Sequence, residues 1–395
     1  MEQALYDREH GYYASGRAHI GKAGDFFTNV SVGKIYGKIL TLFFEELWEK
    51  MGKPNPFIIV EQGANDGRLA LDVLESAETS TDFFTAIHYY IVEPFSVYQK
   101  KQQETLKHRS NIFWVEKIED LSAFEGIHFS NELIDTFPVH LLMWNGKEWM
   151  ERRVGTSTKK SGIDSYGWIT SPIEQEELRA VAAKLPTTLT PGFLWEVRLG
   201  VSSWLHEIET RMKRGMILIA DYGYAGPQRF APYRAKGSIA CYQNHHRYNN
   251  PLEEVGKRDI TAHVDFTDLA ERAIQQHFEI LGYSDQHHFL IGSAEAWLRS
   301  YEHEVKRGQS YSLLQKGSVH YISQKSSCNG MTPNVINCRT DLLADPLALQ
   351  TLLHPESMGR AFQFLGLGKK LNFTSPLNGF RYQRPGVNYL FDSQA

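Results

Sequence analysis

The chain has 395 residues, of which 42% are hydrophobic and 22% charged, as is typical of a soluble globular protein with a large core. A net charge of −4 without a basic block argues against a nucleic-acid partner. No apolar run is long enough to predict a membrane span. Three scattered cysteines and a beginning unlike a secretion signal predict a cytoplasmic location.

Hydrophobic periodicity predicts an α/β protein in which strands and helices alternate around a central sheet. We divide the chain into an N-terminal lid and helical segment (1–55), a core (56–295) with insertions at about 139–192 and 223–262, an inserted segment (296–345) and a C-terminal part of the core (346–395). The expected elements include helices at 32–51, 202–213 and 265–277, strands at 193–199, 216–221 and 278–283, a hairpin turn at 144–148, and an irregular excursion at 156–191.

A tight turn follows the first core strand. The apolar run 57–60 ends in Glu61. The turn that comes next contains Gly63, Asn65 and Gly67 and leads into a helix. Glycine lets the backbone bend sharply and lets a ligand approach it closely. Because ligands of parallel α/β sheets bind beyond the carboxyl ends of the strands, we expect these residues to bind a nucleotide-like cofactor.

The charge of this turn argues against a dinucleotide. Asn65 replaces the middle glycine of a dinucleotide fingerprint, and Asp66 and Glu61 place negative charge where phosphates would lie. Carboxylates favour a cation instead. S-adenosylmethionine, which has an ammonium group, a sulfonium and no phosphate, therefore fits better than a nicotinamide or flavin cofactor. The alternative is an ordinary strand–turn–helix whose glycines serve packing only.

Two further strands are each expected to end near the cofactor. The strand 88–93 ends in Glu93, whose carboxylate can accept hydrogen bonds from both hydroxyls of a ribose. The strand 111–116 ends in Glu116, which together with Ile118 would hold an adenine by an acceptor and an apolar wall. The alternative for both acids is a solvated charge at a strand end.

Five motifs occur in order along the chain and carry a family resemblance. They are residues 24–28, the turn after Glu61, and residues 130–139, 219–223 and 259–266. The chain resembles the DUF185, or MidA-like, family of S-adenosylmethionine-dependent methyltransferases, which includes a mitochondrial complex I assembly factor that methylates an arginine. The resemblance implies a Rossmann-like class I methyltransferase fold, with a mostly parallel seven-stranded sheet and helices on both faces. It also implies S-adenosylmethionine as cofactor and, as methyl acceptor, an arginine of a protein such as a respiratory-complex or other metabolic subunit.

Three segments depart from the family pattern. Asn29-Val30-Ser31 stands where a small residue and Pro-Glu are usual. The turn at 63–67 differs from the usual Gly-Pro-Gly-Arg-Gly, and Met358-Gly359-Arg360 replaces Met-Gly-Glu. These differences keep open a second class of function, an assembly or binding protein that has the methyltransferase fold with weak or no turnover.

The acidic loop after Asn131 carries the candidate catalytic residues, mostly on the strength of the resemblance. Glu132 and Asp135 are three residues apart and would lie on one face of a helix beginning there. Two carboxylates can grip a guanidinium and polarise it toward one nitrogen, while Asn131 would bind the amino-acid end of the cofactor. The alternative is that Asp135 caps the helix and Glu132 faces solvent.

Further candidates lie in three other segments. Asp221 ends the central strand and would open onto the same crevice. His263 would accept a proton late in the reaction, since the pKa of an ordinary histidine lies near neutrality, or would tie its loop down by hydrogen bonds. Gly24, Asp25 and Thr28 would form a lid over the cofactor, or a purely structural turn.

The sequence predicts no metal site and leaves the oligomeric state open. His245-His246 and His287-His288 are adjacent pairs, and neighbours along a chain rarely point at one ion. Cys-x-x-Cys and His-Glu-x-x-His spacings do not occur, nor does the Gly-x-Ser-x-Gly elbow of serine hydrolases.

Overall fold

The computed structural model describes residues 1–16, 28–158, 164–308 and 346–392. The predicted lid residues Gly24 and Asp25 and most of the predicted inserted segment lie outside these ranges. The helices are α1 (Glu2–Tyr6), α2 (Asn29–Val32), α3 (Ile35–Lys50), α4 (Arg68–Ala77), α5 (Thr81–Ala86), α6 (Ser96–Thr105), α7 (Glu176–Ala182), α8 (Gly200–Arg211), α9 (Phe266–Gln275), α10 (Gln286–Gly308), α11 (Pro346–Leu353) and α12 (Val387–Leu390). The strands are β1 (Phe57–Gln62), β2 (Ile87–Val92), β3 (Ile112–Val115), β4 (Phe124–Asn131), β5 (His140–Trp144), β6 (Trp149–Thr158), β7 (Asp164–Ser171), β8 (Leu194–Val197), β9 (Met212–Tyr224), β10 (Ala240–Gln243), β11 (His246–Tyr248), β12 (Asp259–Thr261), β13 (Val264–Asp265), β14 (Glu279–Asp285) and β15 (Phe362–Lys369).

A large, mostly parallel sheet forms the centre of the molecule. Its strand order is β14-β15-β9-β4-β1-β2-β3, and β13 pairs with the end of β9. The strands β9, β4, β1, β2 and β3 run parallel, whereas β15 is antiparallel to both of its neighbours. Parallel neighbours need crossover connections, which place helices on both faces. The predicted seven-stranded, Rossmann-like sheet is therefore confirmed, with the short β13 added to it.

Side chains of the central strands alternate between two hydrophobic cores. On β9, Met216 and Leu218 enter one core, and Ile217 and Ile219 enter the other. Helices α3, α4 and α10 contribute to the first core, and α8, α9 and α12 to the second. Because β9 is covered on both faces, its sequence is a continuous apolar run rather than an alternating one.

Two smaller sheets are attached to this core, with strand orders β7-β6-β5-β8 and β11-β10-β12. The predicted hairpin turn at 144–148 joins β5 to β6. The segment 156–191 does leave the core sheet, as expected, but its predicted irregularity is wrong, because β6 continues to Thr158 and pairs with β7, and α7 follows. This ribbon is largely exposed, as Tyr166 and Ile169 illustrate, so its sequence shows little hydrophobic alternation.

The packing of α10 on the sheet gives a direct test of the core. Phe289 of α10 stacks on Phe364 of β15 with ring centroids 3.9 Å apart, and both side chains are fully buried. Phe289→Ala leaves a cavity there and is expected to lower the free energy of unfolding by about 3–5 kcal/mol in urea titrations. Phe391→Ala, at a residue that is 44% exposed, is the matched control and should cost less than about 1 kcal/mol. Equal losses would contradict this account.

Candidate active site

A cavity of about 410 Å³ lies beyond the carboxyl ends of β1, β2 and β4. We call it the inner cavity. Its wall combines acidic, amide and apolar side chains, among them Glu61, Asn65, Glu93, Phe95, Asn131 and Leu133. The fold thus brings together residues from three strand ends that are up to about seventy positions apart, at the edge where α/β sheets bind ligands.

The turn after β1 forms one wall of the inner cavity. Gly63, Asn65 and Gly67 have φ angles of 84°, 48° and 80°, all in the left-handed region. Glycine adopts this region freely and asparagine tolerates it, whereas most other side chains are strained there. Gly67 precedes α4, and a Cβ atom at that position would lie 3.0 Å from Leu106 Cδ1. Gly67 therefore shapes the turn, while Gly63 and Asn65 line the cavity.

Two buried carboxyl groups, those of Glu61 and Glu93, belong to the wall of the inner cavity. Tyr89 Oη donates a hydrogen bond to Glu61 Oε2 over 2.8 Å, and the backbone N–H of Phe95 donates to Glu93 Oε1 over 3.0 Å. Burial nevertheless raises the pKa of each carboxyl to about 7. Positive charge on a bound ligand would stabilise the ionised forms, which fits the predicted S-adenosylmethionine.

Gln102 connects the glycine turn to Glu93, and the sequence reasoning missed it. Its Nε2 donates to Asn65 O and to Glu93 Oε2, each over 3.0 Å. The indole N–H of Trp114 donates to Gln102 Oε1 over 3.0 Å, which fixes the orientation of the amide. No local pattern marks this residue, because its role depends on contacts between segments that are distant in sequence.

Gln62 is a second site residue that the sequence did not indicate, and its hydrogen bonds define the orientation of its side-chain amide. Trp204 Nε1 and His128 Nε2 approach Gln62 Oε1 to 2.8 Å and 3.2 Å. An indole N–H can only donate, so the amide atom that faces Trp204 is the oxygen. The NH₂ group of Gln62 is therefore turned away from these two rings. Since Gln62 also lines the inner cavity, it supplies a hydrogen-bond donor among the carboxyl groups.

Replacing this donor should weaken cofactor binding. Gln62→Glu keeps an oxygen toward Trp204 but exchanges the NH₂ group for a carboxylate oxygen in an already acidic cavity. We expect the affinity for S-adenosylhomocysteine, measured by calorimetric titration, to fall by about tenfold or more. Gln103→Glu, on the exposed side of α6, makes the same change away from the cavity and should alter affinity by less than about twofold. A similar loss in both variants would refute the assignment.

The loop after β4 is not the helix that the sequence predicted. Glu132 has a φ of 53°, and a short 3₁₀ turn begins only at Ile134. The physical reason is that the Glu132 N–H donates to Ala220 O over 2.9 Å, which continues the pairing with β9 past the end of the strand. Glu132 and Asp135 nevertheless both line the inner cavity, so the two acids lie at the same site, as the sequence predicted.

Glu132 is held by a network of amide and hydroxyl groups. Tyr36 Oη donates to Asn131 Oδ1 over 2.7 Å, and Asn131 Nδ2 donates to Glu132 Oε1 over 2.9 Å. The backbone N–H of Asn29 also donates to Glu132 Oε1, over 3.3 Å. Burial, together with the nearby Asp135, raises the pKa of Glu132 to about 8. Without a cation beside it, Glu132 is therefore largely protonated at neutral pH.

Asp135 and Asp221 have different surroundings and different roles. Tyr222 Oη donates to Asp135 Oδ2, while Asp135 Oδ1 has no hydrogen-bond partner among the described residues. Burial raises the pKa of Asp135 to about 6. Asp221 Oδ2 accepts from the backbone N–H groups of Ile134 and Asp135, over 3.0 Å and 3.2 Å. Contrary to the predicted catalytic role, Asp221 lines neither cavity described here and instead fixes the acidic loop.

A second cavity, of about 540 Å³, shares Glu132 and Asp259 with the inner cavity. We call it the outer cavity. Tyr222, Phe362 and His263 contribute to its wall. The rings of Tyr222 and Phe362 meet edge to face with centroids 5.5 Å apart. The two cavities therefore adjoin at an acidic partition.

His263 lies in the wall of the outer cavity, but its surroundings disfavour a proton. Burial, followed by the charges of Arg234 and Arg198, lowers the pKa of His263 to about 4. Its backbone N–H donates to Ser238 Oγ over 3.0 Å, and its carbonyl accepts from Arg198. The ring is neutral at neutral pH and holds an added proton weakly, so the loop-tying alternative fits the structure better than proton transfer.

Arg198, also missed from the sequence, joins the two polar loops. Its Nε donates to Ile134 O over 3.0 Å, and its Nη1 donates to His263 O over 2.7 Å. Its Nη2 donates to Asp135 O and Ala262 O. The side chain is buried, and its charge opposes the burial-driven rise in the pKa of Asp135. Arg198 thus fixes the spacing between the acidic loop and the loop of His263.

The N-terminal segment lies over the site. Tyr6 Oη hydrogen-bonds Thr136 Oγ1 over 2.7 Å, and Tyr13 Oη donates to Asp259 Oδ1 over 2.8 Å. The two rings stack with centroids 5.7 Å apart, and both line the inner cavity. Tyr6 and Tyr13 thus belong to the cavity wall, while the lid role of segment 1–55 stays a prediction.

Of the remaining predicted site residues, Thr28 lies at the inner cavity, whereas Glu116 and Ile118 do not. Thr28 lines the inner cavity and caps α2 by accepting from the Ser31 N–H over 3.3 Å. Glu116 is exposed and Ile118 is buried in the core of the second face, and neither lines the inner cavity. Since β3 ends at Val115, the chain leaves the sheet edge before these residues, and their predicted adenine contact has no support in this geometry.

The described ranges contain neither a metal site nor a membrane-spanning helix. No group of three or more His, Cys, Asp or Glu side chains there is arranged to hold a metal ion. Among the helices in the same ranges, none combines the length and apolar character that a membrane crossing needs.

Comparison with known proteins identifies the family. Residues 39–284 match the family described as "Putative S-adenosyl-L-methionine-dependent methyltransferase". The match extends over more than half of the chain, and the chain therefore belongs to this family. The family resemblance read from the five motifs and the predicted cofactor, S-adenosylmethionine, are confirmed.

Curated relatives agree with this assignment. The protein arginine methyltransferase NDUFAF7 homolog, mitochondrial, of Drosophila melanogaster is 27% identical over 67% of this chain and 63% of its own length. Protein arginine methyltransferase NDUFAF7, mitochondrial, of Homo sapiens is 26% identical over 73% of this chain and 68% of its own. The chain thus spans less than two thirds of the fly relative.

A crystal structure of a Burkholderia thailandensis protein bound to S-adenosyl-homocysteine has a TM-score of 0.76 to this chain at 22% identity. The likeness covers 96% of this chain and 88% of that protein. It confirms the Rossmann-like methyltransferase fold.

The expected cytoplasmic location is wrong. The relatives from fly, mouse and human are mitochondrial proteins. The expectation rested largely on three scattered cysteines, and a low cysteine content argues against a disulfide scaffold without distinguishing the cytoplasm from the interior of an organelle.

The raised carboxyl pKa values predict how stability depends on pH. Glu61, Glu93 and Glu132 have folded pKa values of about 7, 7 and 8, against 4.5 for an unperturbed glutamate. Between these limits these three groups bind more protons in the folded state than in the unfolded state, and they outnumber the buried histidines His128 and His263, whose lowered pKa values act in the opposite direction below about pH 6.5. The free energy of unfolding of the ligand-free protein should therefore fall as the pH rises from about 5 to about 8. Urea titrations at several pH values measure this.

A double variant provides the control for the pH dependence. Glu61→Gln with Glu93→Gln removes two of the groups whose pKa values are raised and should make the fall over the same pH interval shallower. Stability that rises with pH in the unmodified protein would contradict the proposed protonation states.

Proposed function

We propose that this protein transfers a methyl group from S-adenosylmethionine to an arginine side chain of another protein. The observation that carries the proposal is the acidic partition between the two cavities, in which Glu132 and Asp259 face both. A donor in the inner cavity and an acceptor in the outer cavity would meet at this partition. Methyl transfer requires such an arrangement, with the two reactants held in line and water excluded.

The chemistry of the partition supports a guanidinium as acceptor. A guanidinium is a planar cation whose N–H groups match carboxylates, and it remains charged at any ordinary pH. Asp135 Oδ1, of a residue in the wall of the inner cavity, is a buried acceptor without a partner among the described residues, and the N–H of a guanidinium nitrogen that crosses the partition toward the donor would satisfy it. The rings of Tyr222 and Phe362 give the outer cavity aromatic surfaces that favour a cation.

S-adenosylmethionine supplies a methyl group that its sulfonium has already activated, and S-adenosylhomocysteine is the neutral product. The guanidinium gains a carbon–nitrogen bond and gives up one proton, so its own charge is unchanged. Glu132 and Asp135 would orient one guanidinium nitrogen toward the inner cavity. With a pKa of about 8, Glu132 is well suited to hold the released proton near neutral pH.

The acceptor is proposed to be a protein of mitochondria. The relatives that match over most of this chain are named as mitochondrial protein arginine methyltransferases. A respiratory-complex or other metabolic subunit is one candidate, as the family resemblance implies.

A second candidate function is an assembly or binding protein that keeps the cofactor with little or no turnover. The specific observation in its favour is at residues 29–31, where the family usually has a carboxylate. Here Ser31 closes a capping box with Thr28 at the start of α2, and Asn29 contributes only N–H groups to the acidic loop.

Replacing Glu132 should separate the two candidates. Glu132→Gln keeps the shape of the side chain but removes the charge that holds a buried guanidinium. Radiolabelled methyl transfer to arginines of a mitochondrial extract is expected to fall by at least about 30-fold in this variant. Its affinity for S-adenosylhomocysteine, which lacks the sulfonium charge, should change little and thereby report an intact cavity.

Glu148→Gln, an exposed residue of the β5–β6 hairpin, is the matched control and should leave transfer unchanged. If the unmodified protein binds S-adenosylhomocysteine but produces no methylarginine, the binding-protein candidate is favoured. If it binds neither S-adenosylmethionine nor its product, both candidates fail.

A further inference from the structure

The wall of the outer cavity combines acidic and basic residues. Glu132 and Asp259 form the acidic partition. Arg234, His245 and Arg360 belong to the rest of the wall, and His245 and Arg360 are exposed. A molecule that binds in this cavity therefore has carboxyl and guanidinium groups beside it, and Arg360 is accessible from solvent.

Two buried polar atoms in this wall have no hydrogen-bond partner in the part of the chain that the structure describes. Gln363 is 8% exposed, and its Nε2 donates to Arg360 O over 2.9 Å, which leaves its buried Oε1 as an unused acceptor. The Arg234 guanidinium lies 3.6 Å from the ring centroid of Tyr224, and its buried Nε–H is an unused donor. Buried polar atoms in native proteins are nearly always hydrogen-bonded, so a ligand that reached these atoms of Gln363 and Arg234 would supply the partners that both lack.

The ligand must then offer a donor and an acceptor to this one cavity. A target guanidinium offers donors to Glu132 and to Gln363 Oε1, which belong to residues of the outer-cavity wall. A carboxylate that follows or precedes it along a peptide offers acceptors to the guanidinium groups of Arg234 and Arg360. A lysine or arginine in the same flanking position would instead meet like charge, which opposes binding.

We propose that the outer cavity selects protein segments in which the methylated arginine is flanked by an aspartate or glutamate. This inference rests on the proposed function and specifies the substrate class for the same site. Glu132 and Gln363 hold the target side chain, and Arg360, at the exposed rim, determines the preference for an acidic flank.

A peptide library tests the inference on the full-length protein. Nine-residue peptides with a fixed central arginine and randomised flanks are captured on protein saturated with S-adenosylhomocysteine, and the bound fraction is sequenced. Aspartate and glutamate should be enriched over lysine and arginine by about two- to fivefold at one or more flanking positions, as expected for a partly exposed ion pair. Arg360→Glu should reverse the preference at that position.

Lys370→Glu makes the same charge change at the other end of β15 and is the matched control. Phe362, at the outer cavity, pairs with Tyr222 at the end of β9, whereas Lys369 pairs with Gly215 near its start. This variant should retain the acidic preference. Absence of enrichment in the unmodified protein, enrichment of basic flanks, or an unchanged preference in Arg360→Glu would each overturn the inference. Failure of the proposed function itself is distinguishable, because it appears as absence of methylarginine in the radiolabelled transfer assay, whereas the peptide preference is measured by binding alone.

Discussion

The site depends on carboxyl groups that are buried at the ends of sheet strands without full compensation by cations of the protein. Glu61 and Glu93 are stabilised by neutral donors, and Glu132 receives its hydrogen bonds from amide N–H groups. Neutral donors offset only part of the cost of burying a carboxylate. The pKa values of these groups are therefore raised, and the fold leaves a place in which positive charge on a ligand is stabilised.

The rest of the site holds these acids in place rather than neutralising them. Asp221 accepts from backbone N–H groups of the acidic loop, and Arg198 donates to backbone carbonyls of that loop and of the loop that contains His263. Because both side chains form hydrogen bonds with backbone groups, they fix the relative positions of loops that are far apart in the sequence. This arrangement keeps the acidic partition between the cavities rigid, which transfer between two bound molecules requires.

The sequence predicted what local patterns determine and missed what tertiary contacts determine. The glycine turn and the acids at positions 61 and 93 follow strongly apolar strands, so their place at the sheet edge could be inferred. The same inference does not hold for Glu116, because β3 ends at Val115 and the chain leaves the sheet edge there. The helix expected at Glu132 does not form, because the Glu132 N–H donates a hydrogen bond to Ala220 O. Gln62, Gln102 and Arg198 gain their roles only from partners far along the chain.

The raised pKa values of the buried carboxyl groups explain how the ligand-free protein can remain folded although its site is strongly acidic. If Glu132, Asp135 and Asp221 were all ionised in the ligand-free protein, the repulsion between these buried charges would oppose folding. Protonation removes that repulsion when no cation is present. Glu132 and Asp259 belong to the walls of both cavities, so positive charge in either cavity acts on the same partition. Ionisation of the partition is therefore coupled to occupancy, and the acidic character needed for binding appears when a ligand supplies its counter-charge.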